Sequence, residues 1–247
     1  MIDRRKPDYE DYYWILLKDY NQWKEGETLH QEEGFKFYPN QYIFEKLCNE
    51  DRYVIKISPV NKNEMHRYSS FSHAYTATDI VIDRILELFS MEAFEELWNK
   101  NVEIFKYTDD LISFFSTNGY YRPLAWLVEK CMKFQKDSFD KDKVAKDILL
   151  HAIPNNNSDL IDYITHNLEP DLSIFESDND IMTAISKLLA NQEGQKDFCY
   201  DMIDRLLSGG IFKDSYKATF IIQMYITMCS TIGHTRTSDR LEKFLQE

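Results

Sequence analysis

Pro123-Leu124-Ala125-Trp126-Leu127-Val128 governs the reading of this chain, because three later stretches repeat its pattern. They are Leu160-Ile161-Asp162-Tyr163-Ile164-Thr165, Met202-Ile203-Asp204-Arg205-Leu206-Leu207 and Leu241-Glu242-Lys243-Phe244-Leu245. Leu127, Ile164, Leu206 and Leu245 hold equivalent places, separated by 37, 42 and 39 residues. Self-similarity at such a period is the mark of stacked helix-turn-helix units. One pair of helices cannot bury its apolar face alone, whereas neighbours stacked on each other share a core.

The flanking sequence supplies first helices and turns. Thr108 caps a helix expected over 109–116, Asn118-Gly119 turns the chain, and 121–131 returns. A helix over 143–153 meets the Pro154-Asn155-Asn156-Asn157 turn, and Ser158 caps 159–166. Ser177-x-x-Asp180 resembles a capping box and opens 181–190. The next helix spans 196–208 and stops at Gly209-Gly210. Residues 215–231 and 237–246 form a last pair. Upstream, Ile80, Val81, Ile85, Leu88 and Phe89 read as one helical stripe, and Ser90 starts another helix through Phe94, Leu97 and Trp98.

Residues 1–75 differ. Tyr9, Tyr12, Tyr13, Trp14, Tyr20 and Trp23 crowd a segment, 9–23, that reads as an amphipathic helix. Phe35 and Phe37 alternate with Lys36 at the period of a half-buried strand over 34–38, and 41–48 suits a short helix. Tyr53, Val54, Ile55 and Ile57 make 52–60 the clearest strand, ended by Pro59; 61–72 is a polar loop.

The chain has 247 residues, enough for one large domain or two small ones. With 29 basic and 42 acidic residues its net charge is −13, and the acid is spread evenly: 14 basic and 20 acidic in 1–107, 15 and 22 in 108–247. No basic tail or stripe is present, so no nucleic-acid partner is expected. Cys48, Cys131, Cys199 and Cys229 form no CxxC pair, and three of them lie in apolar stretches, which fits a reducing compartment. The longest apolar run, 218–229, is too short to span a bilayer and is interrupted by Gln223, so no membrane association is expected. No secretory signal is visible at the start of the sequence, and the expected location is the cytoplasm.

No phosphate loop, HExxH, GxSxG or EF-hand loop occurs. Asp140 with Asp142, and Asp178 with Asp180, have the spacing of helix caps as well as of a carboxylate pair, and the capping reading is preferred. His66 and His73 share a polar stretch with Tyr68 and Tyr75, the one place where a histidine acid–base group is conceivable. His151 beside Ala152 in a first helix reads as structural. No cofactor and no metal are implied. Tyr120, Tyr121 and Arg122 at the head of a second helix suit partner contact, since tyrosine and arginine bury area at interfaces with specific geometry; Trp126 behind them reads as core. Asp162 and Asp204 add acid to the same helix series, which suits a basic partner.

Asn118-Gly119-Tyr120 followed by Leu124 through Lys130 resembles the ankyrin turn and second helix. Leu149-Leu150-His151-Ala152-Ile153 followed by Asp159 through Ile164, and Met202 running into Gly210, are similar. The variety they resemble is the divergent ankyrin repeat of giant DNA viruses of amoebae. Gly34-Phe35-Lys36-Phe37-Tyr38, the 52–57 strand and Tyr75 through Ile82 are similar to the small N-terminal domain of many such proteins. The family's TPLH turn is absent, and 191–197 is an insertion. The resemblance implies a mainly α fold: a short α-solenoid of ankyrin-like helix pairs over 76–247 and a small α+β N-terminal domain over 1–75. It implies a non-enzymatic protein–protein interaction module, an adaptor or host-targeting protein acting in the host cytoplasm. Two alternatives stand beside it, a self-assembling component of a virion or virus factory, and an enzyme with its site in the N-terminal domain.

Overall fold

The computed structural model describes residues 12–20, 23–48, 50–175, 178–191, 197–212 and 215–246. Two compact units are present, one within Met1–Asp110 and the other within Leu111–Glu247.

The first unit is built on five antiparallel strands: β1 (Tyr13–Leu17), β2 (Thr28–Pro39), β3 (Tyr53–Pro59), β4 (His66–Arg67) and β5 (Tyr75–Glu87). β1 lies between β2 and β3, β3 pairs with β5, and β5 pairs with β2, so four strands close a ring. Tyr13, Ile15, Phe35, Phe37, Ile55, Ile57, Ala77, Ile80 and Ile82 fill its interior. Tyr13 meets the Phe37 ring edge-on at 5.2 Å. The ring curls where β2 loses register between His30 and Phe35 and β5 between Arg84 and Ile82. Gly34, in the irregular part of β2, has φ +78, a backbone conformation that residues with a side chain rarely adopt.

Outside the ring a second apolar layer covers the alternate residues. Trp14 is fully buried there, and its Nε1 donates to Asn40 Oδ1 at 2.6 Å, which satisfies the indole N–H. A 3₁₀ turn (Ile43–Lys46) and helix α1 (Met91–Asn99) supply Phe44 and Phe94, whose rings stack at 6.2 Å. Ser90 caps α1 by accepting from the Ala93 N–H.

The second unit is helical: α2 (Thr108–Asn118, starting at the boundary), α3 (Tyr121–Phe134), α4 (Lys141–Ala152), α5 (Asp159–Tyr163), α6 (Asn179–Ala190), α7 (Tyr200–Ser208), α8 (Ser215–Ile232) and α9 (Thr235–Phe244). α6 packs on α4 and α8; α5 packs on α3 and α7; α9 packs on α7 and α8. Asn157 joins two turns, its Nδ2 donating to the Ser116 and Thr117 carbonyls at 2.7 and 3.0 Å. The turn after α2 needs Gly119, at φ +71, because any Cβ there would lie 2.9 Å from Asn157 Oδ1.

Several expectations are corrected. The fold is not a short α-solenoid of ankyrin-like helix pairs with a small α+β appendage. Nine α-helices and a five-stranded antiparallel sheet make up the described residues, 53% helical and 18% strand, and no solenoid of helix pairs is evident; a mainly helical content is what agrees. The helices are too unequal for a regular repeat. α5 has five residues and runs on as a π-helical turn (Ile164–Leu168), whereas α8 has 18. The expected junction at 75/76 falls at the start of β5, and the units divide after Asp110 instead. The stripe from Ile80 to Leu88 is mostly strand β5 rather than helix, and the described part of 9–23 holds strand β1. Ser177 and most of the 191–197 insertion lie outside the described residues; the cap of α6 is Asp178.

Candidate partner-binding surface

Tyr120, Tyr121 and Arg122 sit where the chain leaves the Gly119 turn and enters α3. The Tyr120 N–H closes that turn on the Phe115 carbonyl at 2.9 Å, and its ring leans on Phe114. Tyr120 is therefore half-buried and holds the turn. Tyr121 is 44% exposed, and its ring meets Tyr163 of α5 edge-on at 5.5 Å and 88°. That contact supports one side of the ring. Arg122 beside it is exposed. Trp126 is buried, with Lys130 Nζ 5.3 Å above its ring. Burial holds the Tyr163 phenol well above the ordinary tyrosine range, with Glu129 adding to the effect, so it stays neutral under Tyr121.

The two aspartates are placed differently. Arg205 Nη1 of α7 donates to Asp162 Oδ2 at 2.7 Å and to Asp159 Oδ1 at 2.8 Å. Arg240 Nε of α9 donates to Asp204 Oδ1 at 2.6 Å. Both acids thus tie neighbouring helices together, α5 to α7 and α7 to α9, with Arg205 shared between Asp159 and Asp162. Tyr121 comes together with Tyr163, but not into one cluster with Asp204. The sequence reading missed Tyr163, Arg205 and Arg240. The signal was present: each arginine follows its aspartate by 43 or 36 residues, close to the repeat spacing that aligned the helices.

No protein-family model matches the chain, and neither does any curated protein or solved structure.

The site alternatives resolve into separate environments. His66 is exposed on β4. His73 stacks flat on Tyr42 at 3.8 Å, with Nδ1 3.1 Å from Glu45 Oε1. Tyr75 packs against the ring interior, its side chain over Phe37. Asp140 accepts from the Asp142 and Lys143 N–H groups, and Asp178 from those of Asp180 and Ile181, so both carboxylates cap helices. Among the described residues no group of three or more His, Cys, Asp or Glu is arranged to hold a metal ion, and no helix is long and apolar enough to cross a membrane.

Proposed function

We propose that the chain is a non-enzymatic protein-interaction module whose partner contacts centre on Tyr121 and Arg122. The observation that carries this reading is the exposed Tyr121 ring braced edge-on by Tyr163, beside an exposed arginine. An aromatic held in one rotamer loses little entropy on docking, and arginine adds directional donors around it. The net charge of −13 steers the encounter toward a basic partner. The four free cysteines, three of them buried, are compatible with a reducing compartment such as the cytoplasm.

The test compares affinity capture from the native source, read by mass spectrometry, for the unmodified chain and a Tyr121→Ser, Arg122→Glu double variant. A partner recovered by the first and lost to the second, at unchanged thermal midpoint, supports the reading. Undiminished recovery by the double variant sinks it. Asp162 and Asp204 are poor positions for this test, because reversing either charge sets it against Arg205 or Arg240 and loosens the helices themselves.

A further inference from the structure

Tyr12, just ahead of β1, carries two cations on one ring. Lys56 Nζ of β3 lies 4.5 Å from its centroid and Lys100 Nζ, at the end of α1, 4.6 Å; Lys100 also donates to the phenol oxygen at 3.4 Å. The two ammonium groups are thereby held within about 10 Å of each other, a Debye length at 0.1 M salt, so each feels the other's charge. The ring quadrupole attracts both, but it brings no net charge to offset them. All three side chains are half-buried, which strips away part of the water that would otherwise solvate the lysines. Among the described residues no carboxylate pairs with Lys56 or Lys100. Other cations of the chain are matched: Lys18 with Glu50, Lys146 with Asp178, and Arg84, which stands opposite Lys56 in β5, with Glu92 and Glu96. A chain with 42 acidic residues thus leaves this pair of lysines without an acid. The backbone beneath the pair is fixed. Asn40 accepts from the buried Trp14 indole and donates in turn to the Lys100 carbonyl at 2.6 Å, and Lys56 stands opposite Trp14 in the β1–β3 ladder.

We infer that Lys56 and Lys100 form a binding site for a small phosphate-bearing ligand, whose dianionic group bridges the two ammonium groups. Charge selects the phosphate. A dianion answers both cations with charge-assisted hydrogen bonds, where a single carboxylate brings half the charge. The rest of the chain selects a small ligand. A nucleic acid would meet the repulsion of a chain at −13 along its whole length. A small ion responds to the charges within a Debye length of it, and here those include two lysines with no acid of their own. Lysine is a point-charge phosphate binder, and its rotatable donors let both heads turn from the ring edge to the ligand. The site belongs to the first unit and Tyr121 and Arg122 to the second, so it stands whether or not that patch binds a partner.

Phosphorus NMR of inorganic phosphate and of glycerol phosphate, titrated with the full chain at pH 8 and constant ionic strength, tests this. Saturable line broadening with a Kd of about millimolar order is expected, together with a thermal midpoint that rises as phosphate replaces chloride. Lys56→Gln and Lys100→Gln are each expected to weaken binding by about tenfold while circular dichroism holds, since one of two charge-assisted contacts is lost. Lys18→Gln removes a lysine already paired with Glu50 and is expected to leave binding unchanged. A response to both probes assigns the phosphate group as what is recognised; a response to the ester alone assigns a ligand whose remainder also makes contact. Absence of saturable binding to either probe overturns the inference, as does binding undiminished in both Lys56→Gln and Lys100→Gln. Equal weakening by Lys18→Gln overturns it too, because the effect would then belong to diffuse surface charge rather than to this pair.

Discussion

The Nδ1 of His151 lies 3.4 Å from the hydroxyls of both Ser113 and Thr117, joining α4 to α2. Burial lowers the affinity of this imidazole for protons, outweighing the opposing pull of Asp147. An unfolded chain binds the proton more readily than the folded one. The stability that His151 contributes as a neutral ring is therefore complete above the ordinary histidine value of about 6.5, and declines as pH falls below it toward the lowered folded value. Urea melts at pH 7.5 and 5.5 are expected to show a loss for the unmodified chain that is smaller in His151→Gln. Equal losses in both would show that other groups govern the acid response. Burial likewise pushes the Cys229 thiol up to about 12, so at neutral pH it is a protonated core side chain rather than a nucleophile.

Among the elements, α6 depends most visibly on one residue. Asp178 accepts from two N–H groups at its start and from Lys146 Nζ of α4 at 2.6 Å. The hydrogen bond from Lys146 is the main reason its carboxyl is held below the ordinary aspartate value. Asp178→Ala is expected to cost about 1–2 kcal/mol, most of it the cap, since the ion pair is partly solvated. That contribution is present above about pH 4 and is lost as pH falls through the folded value, so the variant and the unmodified chain should converge in acid. An unchanged urea midpoint at pH 7 would show that neither the cap nor the ion pair contributes measurably. The strands show why sequence legibility was uneven. Helices α2 to α9 were visible because their buried residues recur at three and four. In β5 the inward residues are Ala77, Ile80 and Ile82, with Ile85 packed behind them. The register shift at Asp83 and the irregular pairing with β2 turn a period of two into steps of three, two and three, which imitates a helix. β1 hid differently: Tyr13 and Ile15 face inward and Trp14 outward, yet all three are buried, so no alternation marks the strand. Of the candidate contacts, the exposure of Tyr121 was legible from its place at a helix start. The pairing of Asp162 and Asp204 was signalled only by the 43- and 36-residue spacings to Arg205 and Arg240, because an isolated aspartate on a helix face otherwise looks the same whether or not an arginine waits on the next helix.

At the scale of the molecule, each unit has its own core. Phe37 is fully buried in the strand ring, between Tyr13 and Tyr75. Phe37→Ala is expected to cost about 3–5 kcal/mol. Hydrogen exchange should show the loss of protection within residues 12–110, leaving the amides of α3 to α9 near their original rates. Loss spread equally over the helices would mean that the whole chain opens as one cooperative body. The ring has a bearing on how the protein survives at high concentration. Sheets aggregate through strands whose backbone groups face outward with nothing to bond, a template for the next molecule. Here β2 pairs with β1 through Tyr38 and Pro39 and with β5 through Thr28 to His30 and Phe35 to Phe37, so the strands offer one another part of what they would otherwise seek from neighbours. β1 is the clasp of that arrangement. A nick that released it would uncover flanks on both β2 and β3, two sticky borders of the kind from which fibrils grow.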